Sequence, residues 1–234
     1  YFTDEENQFL DQIRANIDLL ENEFKKSLAI SALTRACMKK RPRGIFTFIG
    51  HRYDDGRKDI RKSLKDHFID NIYNFNNAVF DNEKNCQANN EMSQELEKTA
   101  DLVYLDPPYY SPKSDNDYVR RYHFVEGLAK KWDGLEIQEH TITKKFKRYQ
   151  SPFSKRESAF NAFHSLIEKH KESIIAISYS SNSIPTKEEL TNILKEYKSD
   201  VIVHEIDHTY SFGNQNHKTG NKANKVKEYL FIGK

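Results

Sequence analysis

Asp106-Pro107-Pro108-Tyr109 follows directly on an apolar stretch, Leu102-Val103-Tyr104-Leu105. The stretch predicts a short buried strand, and ligands in open α/β sheets bind just beyond the carboxyl ends of strands. The junction therefore sets a carboxylate, a stiff turn and an aromatic ring at such an end. Each proline fixes φ and biases the residue before it toward extended backbone. The carbonyl oxygens of the turn then point in set directions and cannot be drawn into a helix. Asp106 and the Pro107 carbonyl can together accept both N–H bonds of an exocyclic amino group while Tyr109 stacks on the attached base. That arrangement favours a pyramidal nitrogen and frees a lone pair otherwise delocalised into the ring. The chemistry this suits is group transfer to an amino nitrogen, with Asp106, Pro107, Pro108 and Tyr109 as the candidate catalytic residues.

The elements that must hold this turn follow it in the chain. Ile174–Ser178 reads as a second buried strand, and Val201–Ile206 and Val226–Ile232 as two more. Ser211–Asn224 reads as the loop between the last pair. Tyr118–Trp132, Ser158–His170 and Thr186–Tyr197 carry helical patterns. This order fits the second half of a doubly wound sheet closed by a terminal antiparallel hairpin. Upstream, residues 4–38 show helical periodicity, with Phe9, Ile13, Ile17, Leu20 and Phe24 on a stripe, followed by Leu28, Ala32 and Ala36. Asp59–Tyr73 predicts another helix, on Ile60, Leu64, Phe68 and Ile72. An asparagine-rich crossing from Asn74 to Asn90 follows, with a brief strand at Ala78-Val79-Phe80. The expectation is an α/β fold: the C-terminal half of a Rossmann-like sheet plus a helical N-terminal region. Residues 1–75 form the helical region, suited to target recognition, and residues 76–234 a partial catalytic domain.

Composition narrows the class. Of 234 residues, 31% are charged and 37% hydrophobic, and no apolar run is long enough to cross a bilayer. No charged-then-apolar leader opens the chain, so a cytoplasmic setting is expected. Cys37 and Cys86 lack metal-ligand spacing. His204 and His208 lie on strand-like sequence, and Asp115 and Asp117 lack the glycine and glutamate of a calcium loop. No metal site is expected. Net charge is only +2, but its distribution is uneven. Arg35, Lys39, Lys40, Arg41 and Arg43 form a run without an acidic residue. Between Lys113 and Arg156 stand eleven Lys/Arg against six Asp/Glu. Basic tracts beside a base-binding turn point to nucleic acid, because phosphate contacts supply most nonspecific affinity. Arg120, Arg121, Lys144, Lys145, Lys147 and Arg148 are the candidate DNA-binding residues.

Asp106-Pro107-Pro108-Tyr109, Ile177-Ser178-Tyr179-Ser180-Ser181-Asn182 after the second strand, and the closing Lys225-Val226-Lys227-Glu228-Tyr229-Leu230-Phe231-Ile232 together resemble the D12 class of adenine-specific DNA N6-methyltransferases. That class includes Dam-like enzymes and many restriction-system methylases. Ser114–Phe124 and the opening Tyr1-Phe2-Thr3 helix look like segments of a subgroup. The resemblance implies S-adenosyl-L-methionine as methyl donor, with Asp106, Asn90 and Met92 as cofactor-binding residues. It also implies double-stranded DNA as partner, an adenine flipped out of the duplex, and a cognate restriction endonuclease. The family's Phe-x-Gly-x-Gly cofactor loop is absent here, as expected if the matched region begins after it. Asn89-Asn90-Glu91-Met92 occupies the place where the family carries an acidic residue. Two rivals remain from the residues alone. One is an N4-cytosine, RNA or glutamine amino-methyltransferase, and the other a noncatalytic DNA-binding fragment.

Overall fold

The computed structural model describes residues 1–47, 58–111, 118–147, 150–209 and 225–234. Among them are seven α-helices and one four-stranded mixed sheet, a mixed α/β architecture. The chain divides into two compact units, Tyr1–Asn85 with Tyr118–Tyr149, and Cys86–Asp117 with Gln150–Lys234. No helix among the described residues is long and apolar enough to cross a membrane.

The first unit is helical. The helical stretch expected over 4–38 forms as two helices, α1 (Asp4–Asp18) and α2 (Glu23–Lys40). Asn22 makes the break: its side chain accepts from Lys25 N–H at 3.0 Å and starts a new helix. Leu20 and Phe24 therefore leave the apolar stripe, and Phe24 is 83% exposed. The second expected helix is a short α3 (Lys58–Arg61) and α4 (Leu64–Ala78), capped by Ser63. Asn74, Asn76 and Asn77 belong to α4 rather than to a turn, and no strand forms at Val79 and Phe80, which are exposed. Small residues Ala29, Ala32 and Ala36 on α2 let α4 approach closely, and Asn71 donates to the Ala32 carbonyl at 3.2 Å across that contact. Helix α5 (Tyr118–Lys130) completes this core with Val125 and Leu128.

The second unit holds the sheet. Strand β1 (Leu102–Leu105) pairs in parallel with β2 (Ile174–Ser180). Strands β3 (Val201–Thr209) and β4 (Lys225–Gly233) form the expected antiparallel hairpin, and β4 inserts between β2 and β3 to give the order β1-β2-β4-β3. Residues 211–224, read as the intervening loop, lie outside the described residues. Helices α6 (Arg156–Lys169) and α7 (Lys187–Tyr197) pack with one sheet face through Phe163, Leu166, Leu190, Ile175, Ile177 and Phe231. A capping box between Thr186 and Glu189 starts α7.

The opposite face differs from expectation. Leu102 and Tyr104 on β1 and Ile174 on β2 share that face in register, and all three are exposed. Strand β1, expected to be buried, is an edge strand covered on one side only. An edge strand gains burial from a single neighbour and a single packed face, which leaves alternate residues in solvent.

Candidate active site

Strand β1 ends at Leu105, in register with Ile177 of the buried β2. The chain then enters the turn: Asp106 is exposed, and Pro107, Pro108, Tyr109 and Tyr110 are half-buried. The carboxylate therefore stands in solvent at the carboxyl end of the parallel pair, where the sequence put it.

The turn is fastened from beneath by Tyr179. This side chain is 1% exposed at the end of β2. Its hydroxyl donates to the Ile184 carbonyl at 2.6 Å, close by the Tyr110 backbone. The Ile184 N–H in turn donates to the Tyr110 carbonyl at 2.8 Å. Backbone on both sides of the sheet's mouth is thus tied beside one buried phenol, whose ionisation burial pushes well above the usual range. A file of edge-to-face rings continues inward. Tyr109 meets Tyr179 at 5.1 Å between centroids, Tyr179 meets Phe163 at 5.3 Å, and Phe163 meets Phe153 at 5.5 Å. Such pairs add to simple burial and fix ring orientation.

Tyr109 is held at its polar end as well. Its hydroxyl lies 3.2 Å from Ser178 Oγ and donates toward Glu228 Oε2 at 3.4 Å. Burial, chiefly, with the Glu228 and Asp106 carboxylates adding to it, pushes the Tyr109 phenol up to about 12. The ring is accordingly neutral and held at both ends, near an exposed carboxylate.

The other site candidates fall elsewhere. Asn90 and Met92 are exposed on the stretch before β1. The Met92 carbonyl accepts from Glu95 N–H at 2.8 Å, and Lys169 on α6 donates to the Gln94 carbonyl at 2.8 Å, which ties the stretch to that helix. The DNA-binding candidates belong to the first unit. Arg120 is exposed and Arg121 half-buried, both on α5. Lys144, Lys145 and Lys147 sit on a small antiparallel turn closed by an Ile137–Phe146 bridge, with Phe146 buried as its anchor. Lys144 pairs with Glu139 at 2.8 Å and Lys147 with Glu136 at 3.5 Å. Arg148 lies outside the described residues, as do Asp115 and Asp117. Among the described residues no group of three or more His, Cys, Asp or Glu side chains could hold a metal ion.

Sequence reasoning used Ser178-Tyr179-Ser180 and Glu228 only as parts of a resemblance and gave neither a role at the turn. The available signal was topological. Both Ile177-Ser178-Tyr179 and Leu105-Asp106 end apolar strands of one parallel pair, so their polar tails had to emerge at one edge.

Comparison with known proteins agrees with the geometry. The family model for D12 class N6 adenine-specific DNA methyltransferases matches residues 1–193. Type II methyltransferase M2.HphI of Haemophilus parahaemolyticus is 34% identical over 99% of this chain, which spans 68% of that relative. Modification methylase StsI of Streptococcus sanguinis is 37% identical over 54% of the chain and 19% of its own length. Type II methyltransferase M.FokI of Planomicrobium okeanokoites is 30% identical over 63% of the chain and 22% of its own length. The chain thus spans about two thirds of the first relative and about a fifth of the other two. No solved structure shows a significant match. The family model over most of its length, and a relative aligned over nearly all of it, establish that this chain belongs to the D12 class of N6 adenine-specific DNA methyltransferases.

Proposed function

We propose that this chain carries the catalytic turn of a site-specific enzyme that methylates N6 of adenine in double-stranded DNA, with S-adenosyl-L-methionine as donor. The observation that supports it most is the pairing of an exposed Asp106 with a Tyr109 ring fixed three residues away. Asp106 and the Pro107 carbonyl accept the two N–H bonds of the amino group, Pro108 stiffens the turn, and Tyr109 stacks on the base. These contacts require a base outside the duplex, so the adenine is flipped. Catalysis is positioning and electrostatic preorganisation, without a covalent enzyme intermediate.

The residues present suit the donor. Asp106, Asn90 and Met92 are all exposed in the second unit and offer a carboxylate, an amide and a thioether. When bound, S-adenosylmethionine supplies an electrophilic methyl group on a sulfonium. This chain's part is to hold the donor with these side chains and to aim the amino lone pair. The sheet is read as the C-terminal half of a Rossmann-like methyltransferase sheet. The exposed apolar row of Leu102, Tyr104 and Ile174 supports this, since both faces of such a sheet are normally covered. Residues 1–75 are read as the target-recognition region and 76–234 as the partial catalytic domain. Arg120, Arg121, Lys144, Lys145, Lys147 and Arg148 are read as phosphate contacts. A cognate restriction endonuclease is the expected companion.

The test is transfer of labelled methyl groups to duplexes containing adenine or cytosine targets. Asp106→Ala should lower transfer to adenine at least about a hundredfold, the scale for loss of a preorganised polar contact. An exposed position should leave thermal stability within about 0.5 kcal/mol. Undiminished transfer by the variant would sink the assignment, and preferential labelling of cytosine would move it to the N4 class.

A further inference from the structure

The stacking role uses only the ring of Tyr109, yet its hydroxyl is gripped from two strands. Ser178 on β2 pairs in register with Leu230 and Ser180 with Glu228, so Ser178 and Glu228 are diagonal neighbours on one sheet face. Diagonal pairs are close enough for long side chains to share a partner. Here the partner is the phenol, at 3.2 Å from Ser178 Oγ and 3.4 Å from Glu228 Oε2. Building on the reading of Tyr109 as the base platform, we propose that Glu228, acting with Ser178, is a positioning residue that grips the Tyr109 hydroxyl and so sets the plane in which the ring meets the target base.

The geometry allows little else for the hydroxyl to do. A phenol has one donor and two acceptor sites. It donates to the Glu228 carboxylate, a charge-assisted bond, and accepts from the Ser178 hydroxyl. The oxygen lies on the long axis of the ring, so anchoring it fixes χ1. A phenolic O–H prefers the ring plane, so the direction of the acceptor selects χ2. Tyr179 packs against the same ring in a T-shaped contact, at 5.1 Å and an interplanar angle of 73°. Two polar anchors and one aromatic wall thus leave the platform a single orientation. The bond to Glu228 is long for O–H···O, which leaves room for it to shorten when a base loads the ring. The phenol remains a donor throughout the working range, because its ionisation lies near 12.

A double-mutant cycle in the complete protein tests this. Glu228→Gln should lower kcat about tenfold, in keeping with the sensitivity of catalysis to small misplacements. DNA affinity and Tm should stay unchanged. Tyr109→Phe should cost the same, and Tyr109→Phe/Glu228→Gln should be no slower than Tyr109→Phe alone. In DNA carrying 2-aminopurine at the target, the extruded base should be less quenched in both single variants than in the parent protein. A loss from Glu228→Gln that recurs in full in the Tyr109→Phe background would overturn the proposal, as would full activity of Glu228→Gln. If Glu228→Gln lowers Tm, Ser178→Ala carries the same cycle with the same two outcomes. Asp106→Ala, run alongside, separates the two readings. Activity without that carboxylate sinks the catalytic turn itself, whereas its loss together with a fully active Glu228→Gln sinks only the grip.

Discussion

Tyr109 and Tyr179 stand in edge-to-face contact, and their hydroxyls serve opposite ends of the turn. Tyr179 is a fastening. It donates to Ile184, and its removal would leave that carbonyl without its partner. Tyr179→Phe keeps the ring and its packing and deletes only this bond. It should destabilise the protein by about 1–2 kcal/mol, the cost of stranding partly buried polar groups, and lower methyl transfer while Asp106 is intact. Calorimetry and the methyl-transfer assay check it, and an unchanged Tm would mean that the hydroxyl carries no such load. The two tyrosines also show which parts of the site the sequence could disclose. Asp106 to Tyr109 could be read directly because prolines impose geometry locally. Ser178 and Glu228 meet Tyr109 across 69 and 119 residues. Strand pairing alone brings them there, and β4 reaches its place by inserting between β2 and β3.

Elements were legible where apolar period and caps agreed. Thr186 with Glu189 announces α7, and the apolar run at 174–178 announces β2. Boundaries failed where a single polar residue or a tertiary contact outweighed the period. Asn22 splits the first helix by capping the second, and α4 runs through asparagines that local propensity assigns to turns. The end of α5 is the sharpest case, since the apolar pattern carries the helix to Trp132 and the structure stops it at Lys130. Trp132 N–H donates to the Gly127 carbonyl at 2.8 Å and Lys131 N–H to Leu128 at 3.4 Å. This is the 6→1 and 5→2 pattern of a Schellman end, with Lys131 at φ 53° where glycine is usual. The hydrophobic contact that accompanies such an end is here the Trp132 indole lying over Gly127. A Cβ on Gly127 would meet ring carbons at 2.4 Å. Gly127→Ala improves helix propensity by about 1 kcal/mol but expels the indole from its contacts with Phe124 and Phe146. Overpacking of this kind costs ~1–3 kcal/mol, so the net change should be destabilising, by up to about 2 kcal/mol. Urea unfolding decides the sign, and a stabilised Gly127→Ala would show that the indole can move freely.

For the whole molecule the governing quantity is charge, and its sum misleads. A net charge of +2 gives no strong attraction to a polyanion, yet the first unit carries local basic groups, among them Arg120 and Arg121 on α5 and Lys144, Lys145 and Lys147 on the turn that Phe146 anchors. Lys144 and Lys147 are already paired with Glu139 and Glu136, at side-chain exposures of 52% and 71%. Exposed pairs of this sort are worth at most ~1 kcal/mol, so a phosphate can take the place of either carboxylate. Each phosphate so neutralised steepens the dependence of log K on log salt by about 0.9. Replacing both Lys144 and Lys145 by Gln should therefore flatten that dependence by up to about 1.8, at ~0.9 per contact, for target and nontarget duplexes alike. Glu139→Gln should act in the opposite sense, because it releases Lys144 from its competitor and tightens binding at low salt. Titrations of labelled duplex across a range of salt concentrations measure both slopes. A slope unmoved by the double lysine change would take the anchored turn out of the DNA interface and leave the α5 arginines to supply it.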